Sequence, residues 1–459
     1  MEIKENCGIA GVYGNRKAAE IIYFSLFSLQ HRGQESCGII VSDGKKVSFH
    51  RGMGLVWEVF SNGKVEKLKG FSGIGHVRYS TTGSSSEKNI QPFMVEYKGK
   101  TYAIAHNGNL VNSYTLRKKL EENGAIFQTT LDTEIIMHLI IRSKKKRFID
   151  KVIDALKKLR GAFSLLIFTP ECIIAAKDPW GFRPLALGKL KEGYIISSES
   201  CSFDLVGAKY IREIRPGEVL LINKSGVKSY NLPVKKISRC IFEFIYFARP
   251  DSKIFGKNVY ITRKKLGEKL AEEFPYEGDI VIPIPDSGNC AAMGFALKRG
   301  IPYEMGIIRN HYVGRTFIQP FQTTRETQVK IKLNPIKEVI KGKRVIVVED
   351  SIVRGTTSRF RIKSIREAGA KKIYMAVSCP PIKFPCFYGI DFPSSKELIA
   401  NNKTIEEIGK SIGVDGLYYL SLEGMLSAIS LPPEEFCTAC FTGKYRVKPE
   451  GFKGKEQFE

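Results

Sequence analysis

The sequence predicts two domains of different fold class, an α+β domain in the first half and an α/β domain in the second. The 459 residues are enough for two hydrophobic cores, and 43% of them are hydrophobic. Up to about residue 230, short strand-like runs bounded by turn residues are interspersed with helical segments. In the second half, apolar strands alternate with loops and helices, which is typical of βαβ units on a parallel sheet.

In the first half, the strands are predicted from runs of β-branched and aromatic residues between turn residues. These runs are GKTYAIAHNG, GAFSLLIFTP, CIIAAKD, GYIISSE and the hairpin-like GEVLLINKSGVKSYNL. Two segments, LVNSYTLRKKLEENGA and TEIIMHLIIRSKKKR, have helical periodicity. The basic end of the second, Arg142 to Arg147, suits the C-terminal end of a helix dipole. We expect this domain to end at residue 232.

The second domain is predicted over residues 233–459. Its expected strands are GDIVIPIPDSG, PYEMGIIRN, GKRVIVVED and KKIYMAVSCP. The segment SRFRIKSIREAGAKK is predicted to be an amphipathic helix with a glycine stop. Because ligands of parallel sheets bind at the carboxyl ends of the strands, we expect a binding site where these strands end.

The charge balance and the N-terminus exclude several classes of protein. The 72 basic and 47 acidic residues give a net charge of +25, which suits either nucleic acid or a lysine-rich surface with pockets for anionic substrates. The second interpretation is favoured, since no nucleic-acid-binding motif is present. No secretory signal opens the chain, and no apolar run approaches the ~18–20 residues of a membrane span. We therefore expect a cytoplasmic protein that binds neither nucleic acid nor membranes. Its ten cysteines are expected to serve thiol chemistry or metal ligation rather than disulfides.

The most specific signal is VIVVEDSIVRGTTS at residues 345–358. A buried strand ends in two carboxylates, Glu349 and Asp350, which can accept hydrogen bonds from sugar hydroxyls and help to hold Mg²⁺. A turn rich in small and hydroxyl residues at a helix N-terminus offers N–H donors to a phosphate. The residues of that turn are Arg354, Gly355, Thr356, Thr357 and Ser358. The combination predicts a site for a phosphorylated ribose.

This stretch resembles the signature of the type I phosphoribosyltransferases, whose donor is phosphoribosyl pyrophosphate (PRPP). The segment IPIPDSG resembles the pyrophosphate loop of that family. The resemblance implies that Asp286, Ser287 and Gly288 hold pyrophosphate, and that one Mg²⁺ per subunit is held by Ser287, Glu349 and Asp350. The acidic pair departs from the family pattern, which is usually Asp-Asp.

Residues 309–335 resemble the lid that closes over PRPP in the glutamine phosphoribosylpyrophosphate amidotransferase family, which opens purine synthesis. The basic residues of this lid are Arg309, Arg315, Arg325 and Lys330. Arg309 stands where lysine is usual in the family, and it keeps the positive charge that a lid over an anionic substrate needs. By itself, the segment could equally be a solvated basic loop.

The first half resembles the N-terminal-nucleophile glutaminase domain of the same family, an αββα fold. The motifs are CGIAGVYG, LQHRGQES, GIGHVRYSTTG, AHNGNLVN, LDTE, DPWGFRPL and IRPGEV. The resemblance implies that Cys7 is the nucleophile and that its own α-amine, with a pKa of ~7.7–8.0, is the base. An amide nitrogen in mid-chain cannot serve as that base. We therefore expect residues 1–6 to be a propeptide that is cleaved at the Asn6–Cys7 bond.

The resemblance also implies roles for four further residues of the glutaminase half. Arg78 is expected to bind the carboxylate of glutamine, since a guanidinium matches a carboxylate bidentately, and Asp132 its ammonium group. Asn107 and Gly108 are expected to form the oxyanion hole through a side-chain amide and a backbone N–H. In isolation each residue has an ordinary structural explanation.

The cysteines give a third group of candidate residues. Cys437 and Cys440 form a CxxC motif, which alone could indicate zinc, redox chemistry or neither. Cys240 and Cys386 stand in contexts that resemble the iron–sulfur branch of the family, and the resemblance implies a structural [4Fe–4S] cluster on these four thiolates. Zinc is the alternative metal, and Cys379 is a rival ligand.

The function implied by the resemblance is glutamine hydrolysis at Cys7 and transfer of the ammonia to Mg²⁺-bound PRPP. The products are 5-phosphoribosylamine, glutamate and pyrophosphate. Purine nucleotides are implied as feedback inhibitors, and a homo-oligomer is implied as the assembly. Two alternatives remain, a PRPP-sensing regulator of nucleic acid and another glutamine amidotransferase such as a hexosamine-phosphate synthase.

Overall fold

A seven-stranded antiparallel sheet begins the first half of the molecule. The structure, a computed structural model, describes residues 7–79, 86–310, 333–390, 392 and 395–450. The strands of this sheet are β1 (Gly8–Tyr13), β2 (Ser36–Ser42), β3 (Val47–Met53), β4 (Ser72–Arg78), β9 (Ala186–Lys189), β10 (Tyr194–Ser197) and β11 (Lys209–Glu213). Their spatial order is β11-β9-β10-β1-β4-β2-β3.

A six-stranded antiparallel sheet lies against the first one. Its strands are β5 (Phe93–Tyr97), β6 (Lys100–Leu110), β7 (Gly161–Thr169), β8 (Cys172–Lys177), β12 (Glu218–Asn223) and β13 (Gly226–Asn231), in the order β13-β12-β8-β7-β6-β5. The helices of this half are α1 (Ala18–Ser28), α2 (Val56–Val59), α3 (Ser113–Glu122), α4 (Asp132–Arg142), α5 (Phe148–Leu156) and α6 (Cys201–Leu205), with a 3₁₀ turn at Glu87–Asn89.

The two sheets form the middle of four layers. Their facing sides share one apolar core, in which Ile74 of β4 and Leu166 of β7 are fully buried. Helix α1 packs on the outer side of the first sheet through Ile22, and α4 and α5 cover the second through Ile136 and Val152. This αββα arrangement confirms the fold class predicted for the first half.

The second half is organised around a four-stranded parallel sheet. Its strands are β17 (Ile280–Pro283), β20 (Arg344–Glu349), β21 (Lys372–Val377) and β22 (Gly416–Tyr419), in that spatial order. The helices are α7 (Val259–Glu273), α8 (Asn289–Arg299), α9 (Lys337–Ile340), α10 (Thr356–Glu367), α11 (Ile399–Asn402), α12 (Ile405–Ile412), α13 (Leu422–Ala428) and α14 (Ala439–Thr442). The parallel sheet confirms the predicted α/β class.

Shorter elements complete the second half. The paired short strands are β14 (Arg239–Cys240) with β23 (Phe436–Cys437), β15 (Lys253–Ile254) with β16 (Lys257–Asn258), and β18 (Ile307–Arg309) with β19 (Leu333–Pro335). A π-helix covers Glu243–Phe247, and 3₁₀ turns lie at Ser395–Glu397 and Pro433–Glu435. The predicted domain boundary after residue 232 falls between β13 and β14.

Two local expectations need correction. The segment PYEMGIIRN was expected to add a strand to the parallel sheet, and its Tyr303 does form an isolated parallel bridge to Val281 of β17. Its strand β18, however, pairs antiparallel with β19 in a separate ribbon. The basic run after Ile141 was expected to continue a helix, but α4 ends at Arg142 because Ser143 turns to extended geometry. Within the described residues, no helix has both the length and the apolar character needed to cross a membrane.

Candidate active site

Cys7 lies at the start of β1, where the described chain begins. The β1–β4 register pairs Gly8 with Val77, which places Cys7 beside Arg78. The thiol is 6% exposed and donates a weak hydrogen bond to the carbonyl of Tyr79 at 3.5 Å. Burial raises the pKa of the Cys7 thiol to about 11. The sulfur is therefore protonated at neutral pH and needs a base before it can act as a nucleophile.

Asn107 and Gly108 lie on β6, in the opposite sheet. The two sheets are joined here by His76, whose Nε2 donates to the carbonyl of His106 at 3.1 Å. The Asn107 side chain is fully buried, and neither of its amide atoms forms a hydrogen bond within the described part of the chain. Buried amides are usually paired, so this one is suited to a ligand. Gly108 has φ of +152°, and a Cβ there would lie 2.1 Å from the carbonyl oxygen of Ala162.

Arg78 and Asp132 bring opposite charges to the same place. Both act electrostatically on the Cys7 thiol. Arg78 is 2% exposed, and burial lowers the pKa of its guanidinium. Asp132 begins α4, accepts a hydrogen bond from the backbone N–H of Leu110 at 3.0 Å and lies 3.2 Å from Nδ1 of His106. Burial alone would raise the pKa of Asp132, but the His106 ring and these hydrogen bonds outweigh it and the pKa is lowered. The carboxylate is therefore ionised.

A cavity of about 550 Å³ lies at the carboxyl ends of β17 and β20, where the sequence predicted the second site. Residues of the first half, Gln30, His31 and Gln34, also line it. The predicted residues that line it are Asp286, Ser287, Arg309, Glu349, Asp350, Arg354, Gly355, Thr356, Thr357 and Ser358. Gly288 lies behind the loop as the residue before α8, and a Cβ there would meet the carbonyl oxygen of Val348 at 2.5 Å.

The carboxylates of this cavity already have partners. Ser287 Oγ donates to one oxygen of Asp350 at 2.5 Å, and Ser351 Oγ donates to the other at 2.6 Å. Burial raises the pKa of Asp350, and these two hydroxyl contacts counter part of that rise. Glu349 is paired with Arg361 of α10, at 2.9 Å. Among the described residues, no group of three or more His, Cys, Asp or Glu is arranged to hold a single metal ion.

The turn before α10 has the geometry expected for phosphate. Gly355 precedes the helix with φ of +72°, a conformation that favours glycine, and no side chain caps the helix. The first-turn N–H groups of α10 start at Thr356, on the cavity wall. Arg309 ends β18 and forms an ion pair with Asp286. The other three predicted lid residues, Arg315, Arg325 and Lys330, lie outside the described residues.

The four predicted cluster cysteines line one small, nearly closed cavity. The β14–β23 pairing aligns Cys240 with Cys437, α14 brings Cys440, and a loop brings Cys386. Burial raises the pKa of all four thiols, that of Cys240 to about 11. The rival Cys379 is fully buried and does not line this cavity.

Comparisons with known proteins identify the family. A model of a glutamine amidotransferase domain matches residues 76–204. An amidophosphoribosyltransferase of Bacillus subtilis is 49% identical over 450 residues, which cover 96% of this chain and 94% of that protein. The chain belongs to the amidophosphoribosyltransferase family. A relative with the same name from Methanocaldococcus jannaschii is 48% identical over 473 residues, with 98% of this chain and all of that protein covered.

A solved structure supports the assignment to the amidophosphoribosyltransferase family. Glutamine phosphoribosylpyrophosphate amidotransferase from B. subtilis, in complex with ADP and GMP, superimposes with a TM-score of 0.92. The two chains are 48% identical, and the match covers 97% of this chain and 98% of the other. The expected family, enzyme class and place in purine biosynthesis are thereby confirmed, and neither alternative function is supported.

The structure of this family member also shows charged residues that the sequence analysis missed. Arg32 and Arg183 are almost fully buried and are paired with Glu243, and Arg32 also pairs with Glu199. The signal in the sequence was Glu243 itself, a carboxylate inside the apolar run CIFEFIYF. The sequence analysis also missed Arg361, the partner of Glu349, because it lies among other basic residues of a predicted amphipathic helix.

Proposed function

We propose that this chain forms 5-phosphoribosylamine from PRPP with nitrogen taken from glutamine, releasing glutamate and pyrophosphate. The supporting observation is that the candidate PRPP cavity is lined by both halves of the molecule. Gln30 and His31 of the first half lie on the same cavity as Glu349 and Thr356 of the second. None of the residues that line this cavity belongs to the candidate glutamine site, so the passage that carries ammonia from Cys7 to the cavity without crossing bulk solvent is itself part of the proposal.

The first half-reaction is assigned to Cys7. Removal of residues 1–6 would free its α-amine, which takes the thiol proton as sulfur attacks the amide carbon of glutamine. Arg78 and Asp132 would hold the carboxylate and the ammonium group of the substrate. The side-chain amide of Asn107, which has no hydrogen-bond partner among the described residues, and the N–H of Gly108 would stabilise the developing oxyanion. The α-amine then passes that proton to the amide nitrogen, which leaves as ammonia. Water hydrolyses the remaining glutamyl thioester to glutamate.

The second half-reaction is assigned to the cavity at β17 and β20. Thr356, Thr357 and Ser358 would hold the 5′-phosphate, the Glu349–Asp350 pair the ribose hydroxyls, and residues 286–288 the pyrophosphate. Mg²⁺, held by Asp350 with Ser287 and Glu349, would neutralise charge on the leaving group. Ammonia then displaces pyrophosphate at C1 with inversion. This step requires placement of charge and exclusion of water rather than a protein nucleophile.

The cysteine cavity is assigned a structural role. Its donor set is four thiols with no imidazole or carboxylate, which suits a [4Fe–4S] cluster with one thiolate for each iron. Zinc on the same thiolates is the alternative, and it would require the four thiols to move closer together, since in the described residues they are not arranged around a single ion. Such a group would fix β23 and α14, near the C-terminal end of the described chain, to β14.

Three further properties are proposed by analogy with the family. Purine nucleotides are proposed as feedback inhibitors, since the B. subtilis relative was solved with ADP and GMP. A homo-oligomer is proposed as the assembly. The cytoplasm is proposed as the compartment, although relatives in Arabidopsis thaliana are named as chloroplastic.

The proposed function is tested by incubating the purified chain with glutamine, PRPP and Mg²⁺ and measuring glutamate and pyrophosphate together. We expect equal amounts of the two products over the time course. A control with ammonium chloride in place of glutamine should give pyrophosphate without glutamate. Glutamate without pyrophosphate would contradict the assignment of the second site, and neither product would contradict both assignments.

A further inference from the structure

Among the contacts of the Glu349 carboxylate is an ion pair with the guanidinium of Arg361. A single Nη1 group lies 2.9 Å from one carboxylate oxygen and 3.1 Å from the other. Both side chains are largely buried, at 5% and 11% exposure, and both line the candidate PRPP cavity. The pair is therefore part of the cavity wall and not a surface ion pair, which would have little effect.

The neighbouring carboxylate is held in a different way. Asp350 accepts hydrogen bonds from two hydroxyl groups, those of Ser287 and Ser351, at 2.5 and 2.6 Å. A hydroxyl can rotate and give way to a cation, whereas a guanidinium cannot lose its charge. The two adjacent carboxylates are thus electrostatically unequal. Glu349 has the guanidinium of Arg361 in direct contact, whereas Asp350 accepts from hydroxyl groups and interacts with Arg263 and Arg361 only at longer range.

We propose that Arg361 is a positioning residue that holds Glu349 as the acceptor for the ribose 2- and 3-hydroxyl groups. The inference rests on the proposed function, since it takes the ligand of this cavity to be a ribose phosphate. Glutamate has one more rotatable bond than aspartate, so its carboxylate has more freedom to lose when it binds a diol. The shared Nη1 contact restricts that freedom before the substrate arrives, and a carboxylate oxygen can accept more than one hydrogen bond.

The ion pair between Arg361 and Glu349 also links the helix that carries the candidate phosphate turn to the strand that carries the acidic pair. Arg361 lies in α10, whose first residues, Thr356 to Ser358, form the candidate phosphate turn. Glu349 ends β20, on the other side of the cavity loop. The ion pair therefore sets the separation between the phosphate donors and the diol acceptor, which must match the distance between the 5-phosphate and the hydroxyls of one sugar.

The test compares two probes, ribose 5-phosphate and 2-deoxyribose 5-phosphate, by isothermal titration calorimetry without Mg²⁺. The two probes differ by the 2-hydroxyl group, which is one of the two hydroxyl groups that Glu349 is proposed to bind. Because one charged hydrogen bond is lost with the deoxy probe, we expect the unaltered chain to bind ribose 5-phosphate with a Kd roughly 10- to 100-fold lower. We expect Arg361→Met to reduce that preference to about twofold, with Arg361→Lys in between because it keeps the charge and loses the rigid fork.

Arg359→Met is the matched control. Arg359 lies two residues away on the same helix, is exposed and does not line the cavity, so the preference should not change. If Arg361→Met fails to fold, Arg361→Gln is used, since it can donate to Glu349 without a charge. Thermal unfolding of each variant shows that the comparison is made between folded proteins.

A double-variant cycle distinguishes action through Glu349 from direct contact with the ligand. In a Glu349→Gln background, Arg361→Met should have almost no further effect on the preference, because the group that it positions is already changed. If Arg361→Met weakens the binding of both probes equally, and still does so in the Glu349→Gln background, Arg361 contacts the phosphate directly. That result would overturn the proposal. The product assay described above is separate, so failure of the proposed reaction and failure of this inference are distinguishable.

Discussion

The guanidinium of Arg32 and the carboxylate of Glu243 form a buried ion pair, with 2.7 Å between Nη2 and Oε1, that joins the two halves of the molecule. Arg183 contacts the same carboxylate at 3.1 Å. Arg32 also donates through Nε to the carbonyl oxygen of Cys7 at 3.3 Å. The position of the proposed nucleophile is thereby tied to the segment that opens the second half.

We expect Glu243→Gln to destabilise the protein. Removing one member of a buried ion pair leaves uncompensated charge, here on Arg183 above all because Arg32 keeps Glu199, and typically costs about 3–5 kcal/mol. The free energy of unfolding, measured in a denaturant titration, checks this value. The control is Glu406→Gln, which removes an exposed ion pair with Lys410 and should leave the free energy unchanged. Equal effects of the two substitutions would show that the buried network does not stabilise the fold.

We expect the pH dependence of glutamine hydrolysis to report the α-amine of Cys7 and not its thiol. Burial raises the pKa of the thiol to about 11, so a thiol without a base would become more reactive continuously up to that pH. An α-amine with a pKa of ~7.7–8.0 must lose its proton to act as the base. The value of kcat/KM for glutamine should therefore rise with pH, reach half of its plateau near the ~7.7–8.0 of the amine, and level off about one pH unit higher. A profile that still rises at pH 10 would contradict the role of the amine.

Intact-mass analysis gives a control for the same prediction. The active protein should begin at Cys7, with residues 1–6 absent. A chain that retains those residues has an amide at Cys7 and should not hydrolyse glutamine. If a chain that retains residues 1–6 is fully active, these residues are not a propeptide whose removal is needed for activity.

We expect Asn107→Ala to lower kcat for glutamine hydrolysis by roughly 10²–10³-fold, as is common for the loss of one oxyanion donor. The folded protein should lose little stability, because the amide has no hydrogen bond within the described residues. Asn112→Ala is the matched control, since its amide donates to Lys158 and accepts from Arg160. That variant should lose stability and keep kcat. Steady-state kinetics and denaturant unfolding together check both, and the reverse pattern would exclude Asn107 from the oxyanion hole.

We expect metal analysis of protein purified without oxygen to find about four iron and four sulfide per chain, as a [4Fe–4S] cluster requires. Cys437→Ser should lose most of both and lower the free energy of unfolding. Cys172→Ser, which alters a buried thiol of the first half, should keep them. One zinc per chain and no sulfide would establish the alternative metal.

The elements of the candidate PRPP site could be predicted from the sequence because most of their residues are adjacent along the chain, whereas the glutamine-site residues, spread from Cys7 to Asp132, were assigned by resemblance. The run from Val345 to Ser358 contains strand, carboxylates, turn and helix start in one segment, and the structure has β20 and α10 at those places. The cysteines were brought together only by resemblance, since Cys240 and Cys437 are paired across nearly two hundred residues. No local pattern specifies such a pairing.

The charged contacts could not be predicted, because they depend on how helices rotate against strands. Arg359 and Arg361 look alike in the sequence, yet the first is exposed and the second reaches Glu349. Strand β22 was missed because its four residues, Gly416–Tyr419, are too short for a clear alternation. Strand β18 of the segment PYEMGIIRN was assigned the wrong partner for a related reason, since apolar content predicts that a strand forms and not which strand it pairs with.

The most direct test of the two-site account is the nitrogen-donor preference of Cys7→Ala. With PRPP and Mg²⁺ present, phosphoribosylamine formation is measured with glutamine and, separately, with ammonium chloride. The account predicts that the variant forms no product from glutamine and keeps the ammonia-dependent rate of the unaltered chain. Product formed from glutamine by the variant, or equal loss of both rates in a folded protein, would contradict it.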